Sequence, residues 1–440
     1  MSIGHIVYLI VSVFLARNLS LKMTSSSSSS IPLDRVFADT PAKKNLIHLN
    51  NAGASLMPTS VLNSQVDYLN DEASIGGYET VIKHKHKLDH VYQSVANLLN
   101  PQVVSPDEIA LFESATVGFS QTFYSIPFQS GDKILCIEQE YVSNYLVYLH
   151  LQKEKGIDIM IIPTISNGEI CLQSLAKILQ ETDNIKVVSI CHIPTNSGLV
   201  VDIESVGNII RSSRYGENII YVIDACQSAG QLCLDIEKIQ CDILTATSRK
   251  YLRGPRGAGF AYVKNSSMKK YNMHPPIIDL RGARWKNKDS YELDETAKRF
   301  EWWEFNYAAQ LGMGVAIDYA MDIGIENIER RIKKLSNYLR RRLAETSEAI
   351  VLHSVGNVQC GIVSFDIMGM EGADVVRTLR EKYNINVSLS GPTSTLLDSR
   401  RRDTNLNLIR ASVHYYNDED EIEKFISAID EIQNFSDPVH

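Results

Sequence analysis

Three short stretches of this chain hold side chains whose types and order would do chemistry together. Asp224 closes an apolar run, IIYVIDA, and Lys250 follows the next run, in TATSRKYLRGPRGAGF, 26 residues later. A lysine amine condenses with a carbonyl to give a Schiff base. A carboxylate at the end of a strand can hold a protonated ring nitrogen, so that the ring draws electrons from whatever it carries. Gln227, three residues past the acid, is spaced to reach a ring hydroxyl. Upstream, IALF leads through Glu113 into SATVGFSQTF, a strand, a turn and a helix. Backbone amides of Ser114, Ala115 and Thr116 would there meet a phosphate at a helix N-terminus. Taken singly, each feature has an ordinary reading: Asp224 as a strand-end cap, Lys250 as a solvated loop lysine, Ser-Ala-Thr as a plain N-cap. Order and spacing give the set its weight: phosphate turn first, then acid, then lysine.

These groups need a scaffold that brings strand ends together. Seven apolar runs, IALF (109–112), KILCIE (133–138), DIMIIP (158–163), KVVSICHI (186–193), IIYVIDA (219–225), DILTATS (242–248) and GAGFAYVK (257–264), alternate with amphipathic stretches. Strands apolar on both faces belong in a mostly parallel sheet covered by helices, and open α/β sheets bind ligands at the carboxyl ends of their strands. The pattern changes near Ala308, where one long helical stretch runs on through IENIERRIKKLSNYLRRRLAE. Beyond it come a strand (GIVSFDI, 361–367), a helix (GADVVRTLREKY), strands INVSLS and LIRASVHYY, and a helix opened by acidic residues, which suit its positive dipole end. The predicted organisation is a signal-like or disordered extension over 1–30, an N-terminal arm and large domain over 31–300, and a connecting helix with a smaller C-terminal α/β domain over 301–440. In the extension, GHIVYLIVSVFLA falls short of the roughly 20 residues of a membrane span. It also lacks a preceding basic residue and an A-x-A site, and Met23 opens a second start before six serines. A formal net charge of −8 argues against a polyanion partner, nucleic acid included. Seven cysteines without C-x-x-C spacing read as reduced thiols of a cytoplasmic protein.

The combination ESATVGFS, YVIDACQSAGQ and SRKYLRGPRGAGF resembles the class V aminotransferase family, from about LNNAG (49–53) to RASVHYYN (410–417). The resemblance implies fold type I, a large domain with a seven-stranded, mostly parallel sheet plus the smaller domain, and pyridoxal phosphate (PLP) as cofactor. The family includes cysteine desulfurases, selenocysteine lyases, kynureninases and a carbon–sulfur lyase of ergothioneine biosynthesis. Carried over by position, Lys250 resembles the Schiff-base lysine, Asp224 the pyridinium partner and Gln227 the ring-hydroxyl contact. Ala115 and Thr116 resemble the phosphate turn, with Thr247 and Arg249 further phosphate contacts. Tyr141, in EQEYVSN, stands where many relatives have a stacking histidine; a tyrosine stacks as well but is no imidazole base. Thr195, or its neighbour Asn196, occupies the place of an asparagine near the ring. Arg410 resembles the arginine that grips the substrate carboxylate, a task a planar guanidinium performs bidentately. Asn51 and Gly53 resemble the segment that closes over the substrate.

Two departures shape the functional expectation. Desulfurases carry a nucleophilic cysteine before the carboxylate-binding arginine, and INVSLSGPTSTLLDSRRRDTNLNLIR has none, Cys360 lying upstream. The expectation is therefore an enzyme acting on an amino acid or a sulfur-bearing derivative as a carbon–sulfur lyase, similar to the ergothioneine branch, and not a persulfide-forming desulfurase. An aminotransferase and a non-catalytic binding protein on the same scaffold are the alternatives. In RFEWWEFN (299–306), Trp303 and Glu304 replace a Gly-Thr pair that contacts the neighbouring subunit's phosphate, so Glu304 is expected to face elsewhere or to pair with a cation such as Arg284. KHKHK (83–87) reads as a solvated helix face and SRRRD (399–403) as a basic loop. Family sites lie at a subunit interface, which implies a homodimer.

Overall fold

All seven apolar runs become strands of one sheet in the computed structural model, which describes residues 31–353, 356–401 and 407–436. They are β1 (Ile109–Phe112), β2 (Lys133–Cys136), β3 (Asp158–Ile161), β4 (Ile185–Cys191), β5 (Ile220–Asp224), β6 (Ile243–Thr247) and β7 (Gly259–Val263). Their spatial order is β1-β7-β6-β5-β4-β2-β3, and only β7 runs against its neighbours. Edge strand β1 and the neighbouring β7, β6, β5 and β4 are buried on nearly every residue, as a sheet covered on both faces requires. Because β1, β2, β4, β5 and β6 are parallel, their carboxyl ends share one edge, and the segments that follow them are gathered there.

Helices fill the spaces between strands. Two long ones precede the sheet, α1 (Thr59–Ile75) and α2 (Gly77–Leu99); α3 (Ala115–Phe123) follows β1 and α4 (Val142–Lys155) follows β2. The long stretch after Ala308 is not one helix but two, α5 (Tyr307–Ile323) and α6 (Ile325–Thr346). Gly324 separates them with φ +88°, a left-handed conformation that ends one helix and starts the next. A hairpin, Ala283–Asn287 with Ser290–Leu293, extends from the chain between β7 and α5; its sequence had drawn no strand prediction.

A second sheet has the order β8-β9-β11-β10, all antiparallel, from β8 (Ile350–Leu352), β9 (Ile362–Ile367), β10 (Ser388–Ser390) and β11 (Leu408–Ser412). INVSLS, expected as one strand, divides around buried Val387. Its first half pairs in parallel with Ile47–His48 of the N-terminal arm, and its second half pairs with β11. LIRASVHYY stops being a strand at Ser412, where Leu49 takes over: Ser412 N donates to the Leu49 carbonyl at 2.6 Å. The arm is thus stitched to the chain's last strands. It is also stitched to the lysine loop, since Ser55 N donates to Arg249 O at 2.9 Å and Arg253 Nε to Leu56 O at 2.8 Å. The extension 1–30 and the last two residues of SRRRD lie outside the described residues, while its first three, expected in a basic loop, end the helix Leu396–Arg401.

Candidate active site

Asp224 is the last residue of β5, and both its oxygens are engaged. Oδ1 accepts from Cys226 N at 2.9 Å and Oδ2 from Asn144 Nδ2 at 2.9 Å. This fixes the carboxylate at the sheet's edge. Lys250 sits three residues past β6, in a turn whose tightness depends on glycine. A Cβ on Gly230, at φ +89°, would lie 2.5 Å from the Tyr251 carbonyl, so only glycine lets the DACQSAG turn pack beneath the lysine loop. Burial pushes the Lys250 amine below the ordinary lysine range, with Cys226 and Asp224 opposing the shift. A lysine lowered this way keeps more of the neutral, nucleophilic form.

At the edge beside β1, Ser114 caps α3, its hydroxyl accepting from Val117 N at 3.2 Å. First-turn amides of a helix have no intrahelical acceptor, which leaves those of Ala115 and Thr116 turned outward. Gly259 in β7 makes room for them: a Cβ there would stand 2.9 Å from Ala115 N. Ser114, Ala115, Thr116, Tyr141, Thr195, Asp224, Gln227, Thr247, Arg249 and Lys250 all border one cavity, open to solvent on one side. Nine of the predicted residues therefore converge (Ser114 was predicted only as part of the turn).

Two predicted residues stand otherwise. Arg410, on β11, is buried behind the cavity wall; Nη1 donates to Thr195 Oγ1 at 2.5 Å and Nε to Ser388 Oγ at 3.2 Å. Burial lowers its pKa, and no carboxylate is among the groups acting on it. Asn51 is corrected: it is fully buried and does not border the cavity. Its amide donates to Ser412 O at 2.7 Å and its oxygen accepts from the Tyr416 hydroxyl, so it anchors the arm to the end of β11 and has no polar atom left for a substrate. Gly53 is nearer, its carbonyl accepting from Arg249. Asn196 is likewise turned away, tied to Thr395 Oγ1 at 3.0 Å and to Ser390; Thr195 is the residue that faces the cavity.

The fit to PLP rests on charge and on an unused polar atom. Arg249, Lys250 and Arg410 act on one another, against the single cavity carboxylate of Asp224. Gln227 is buried, and its Oε1 has no hydrogen-bond partner. A phosphate dianion, a substrate carboxylate and a ring hydroxyl would meet these surpluses, so the residues present fit the cofactor.

The sequence reading missed several neighbours. Cys191 and Cys226 border the cavity, and burial pushes both thiols well up. Glu140, before Tyr141, is buried and contacts Asn144; four residues past the end of β2, it carried no signal in the sequence. Glu304 is exposed and does not border the cavity, while Arg284 lies against Glu292 at 4.0 Å. In KHKHK the lysines are exposed but His84 is buried, with Nε2 2.7 Å from Asp71. Among the described residues no group of three or more metal-ligating side chains comes together, and no helix is long and apolar enough to cross a membrane.

Residues 47–425 match the family model for aminotransferase class V. A probable cysteine desulfurase of Pyrococcus abyssi is 28% identical over 409 residues, covering 91% of this chain and 98% of that protein. A probable cysteine desulfurase of Methanothermobacter thermautotrophicus is 26% identical over 400 residues, covering 90% and 96%. Among solved structures, the apo cysteine desulfurase of Thermococcus onnurineus NA1 superposes with a TM-score of 0.82 at 25% identity, covering 93% of this chain and 99% of that one. These matches overturn the expectation of a lyase that is not a persulfide-forming desulfurase, because the relatives aligned along almost the whole chain carry the desulfurase name. That expectation weighed one loop's missing thiol above the rest of the sequence. The chain belongs to the class V aminotransferase family and is a pyridoxal-phosphate-dependent enzyme.

Proposed function

We propose that the protein removes sulfur from cysteine, in the manner of the desulfurases it resembles. The observation that carries this reading is the buried, carboxylate-free Arg410 beside a cavity that joins Lys250 to Asp224. Asp224 would hold the ring nitrogen of PLP and Gln227 its ring hydroxyl, Tyr141 would stack on the ring, and the Ala115 and Thr116 amides with Thr247 and Arg249 would hold the phosphate. Bound PLP supplies an electron sink for the pair left at Cα when a proton departs. Lys250 Nζ, kept partly neutral by burial, takes the proton from the substrate Cα and returns protons to carbon. Arg410 grips the substrate carboxylate and so fixes which Cα bond faces the lysine. The Cβ–S bond then breaks, the sulfur forms an S–S bond with a thiol acceptor, and Cβ gains a proton. Cysteine and thiol become alanine and persulfide with no outside oxidant. The test is incubation of the PLP-loaded enzyme with L-cysteine and excess dithiothreitol. Alanine and sulfide should appear in equal amounts and vanish in Lys250→Ala. Pyruvate and ammonia in place of alanine, or a strict need for a keto acid, refutes the reading.

The same reading includes a two-fold dimer in a reducing, cytoplasmic setting. Leu62, Val66 and Leu69 form an exposed apolar row on α1, Ile82 on α2 is exposed as well, and the seven cysteines are all unpaired. Sedimentation should give a dimer; a fully active monomer contradicts it.

A further inference from the structure

Behind Asp224 stands a second carboxyl that the mechanism above does not use. Glu140 is 3% exposed, at the segment joining β2 to α4. The two acids are joined by one amide: Asn144 Nδ2 donates at 2.9 Å to Glu140 Oε1 and at 2.9 Å to Asp224 Oδ2. Glu140 Oε1 also accepts from Tyr141 N at 2.9 Å, so the same carboxyl fixes the start of the segment that carries Tyr141. Its other oxygen meets the Tyr148 hydroxyl at 3.3 Å, and that hydroxyl is 2.7 Å from Ser189 Oγ. The groups that act on Glu140 or feel its charge are Asp224 on β5, Cys136 on β2, Cys191 on β4 and Tyr148 on α4. None of these is a cation. A buried carboxyl with an acid for its nearest charged neighbour and no counter-ion is an expensive arrangement, and a purely structural contact would be served as well by a glutamine.

We propose that Glu140 is a positioning residue for Asp224, coupled to it through Asn144, and that its carboxyl governs how firmly Asp224 holds the protonated ring nitrogen of the cofactor. This rests on the PLP reading above. Burial and the neighbouring Asp224 hold the Glu140 carboxyl up at about 8, so at neutral pH it is a neutral acid. A pyridinium at Asp224 adds a positive charge at the far side of the same amide bridge. It therefore favours ionised Glu140, and by linkage ionised Glu140 favours the pyridinium. Tyr141, whose backbone the same carboxyl holds, moves with it.

The experiment follows the glutamate side-chain carboxyl by ¹³C NMR across pH, with and without PLP, in the whole protein. In the PLP-free protein a carboxyl signal with a midpoint near pH 8, absent from Glu140→Gln, is expected, and saturating PLP should move that midpoint down by about one pH unit or more. Correspondingly, PLP affinity measured by tryptophan fluorescence should rise about tenfold between pH 6 and 9 relative to Glu140→Gln. Asn144→Ala should remove the coupling and weaken PLP about tenfold at pH 7, the scale of one hydrogen bond to a charged group. A midpoint unmoved by PLP, or superimposable affinity profiles for wild type and Glu140→Gln, overturns the proposal while leaving the PLP site standing. Failure of the wild type to bind PLP at all overturns both. If the variants do not fold, the midpoint shift of the wild-type signal decides alone.

Discussion

Arg410 offers a prediction in which binding and stability move in opposite directions. In the free protein this guanidinium is desolvated, bonded to Thr195 and Ser388, and faces no carboxylate. Replacing it with methionine keeps most of the volume and removes a buried charge that nothing neutralises, so the substrate-free enzyme should lose little stability or gain some. The substrate carboxylate, however, loses a two-pronged partner. Each hydrogen bond to a charged group contributes about 1.5–3 kcal/mol, so two amount to roughly 3–6 kcal/mol, or about 10²–10⁴ in kcat/KM. The assay is alanine formation from L-cysteine, with cysteamine, which lacks the carboxylate, as the comparison substrate. Arg410→Met should depress kcat/KM for cysteine by that factor and leave the slow turnover of cysteamine nearly unchanged. A loss under tenfold with cysteine, an equal loss with cysteamine, or a fall in Tm beyond a few degrees refutes the assignment.

Three further outcomes follow from geometry already described. Gly230→Ala forces a side chain into a left-handed residue and against the Tyr251 backbone; it should cost about 2–5 kcal/mol in urea unfolding and lower PLP occupancy. Glu301, buried and bonded to Arg281 Nε at 2.5 Å and to the Tyr92 hydroxyl at 2.9 Å, holds the segment before α5 against β1 through Leu111 N at 2.8 Å. Glu301→Leu should destabilise by about 3–5 kcal/mol, the cost of leaving a buried charge without its partner, read by calorimetry. Stability should also carry the signature of Glu140 as pH rises. The folded pKa, about 8, lies above the ordinary 4.5. Its contribution is thus complete below pH 4.5, declines as the unfolded chain releases a proton the folded one retains, and is gone above about 8. Glu140→Gln should flatten that decline in chemical denaturation of the cofactor-free protein, and an unchanged slope counts against the buried acid.

The large sheet was legible because its central strands are apolar on both faces, and Asp224 and Lys250 were legible because strand ends in such a sheet share an edge. What failed to read were places where one residue serves two partners. Val387 sits between half-strands that join different sheets, and nothing in INVSLS announces that. Asn51 has the residue type of a substrate contact, yet its amide is spent on Ser412 and Tyr416. Glu140 drew no reading at all, since burial of a lone carboxyl leaves no periodic trace. The missing loop cysteine weighed too heavily because a single absent side chain says less about a reaction than the scaffold that surrounds it.

The stitching of the arm to both the lysine loop and β11 has a consequence for how the enzyme is made. Residues 49–56 leave the ribosome early, but their partners, Arg249, Arg253 and Ser412, lie roughly 200 to 360 positions further along. Contacts so distant in sequence close late. A nascent chain that has reached the lysine loop already has every residue that borders the cavity, but not β11 with Arg410. The seam of Leu49 with Ser412, and the burial of Arg410 behind the cavity, are then events of the finished chain.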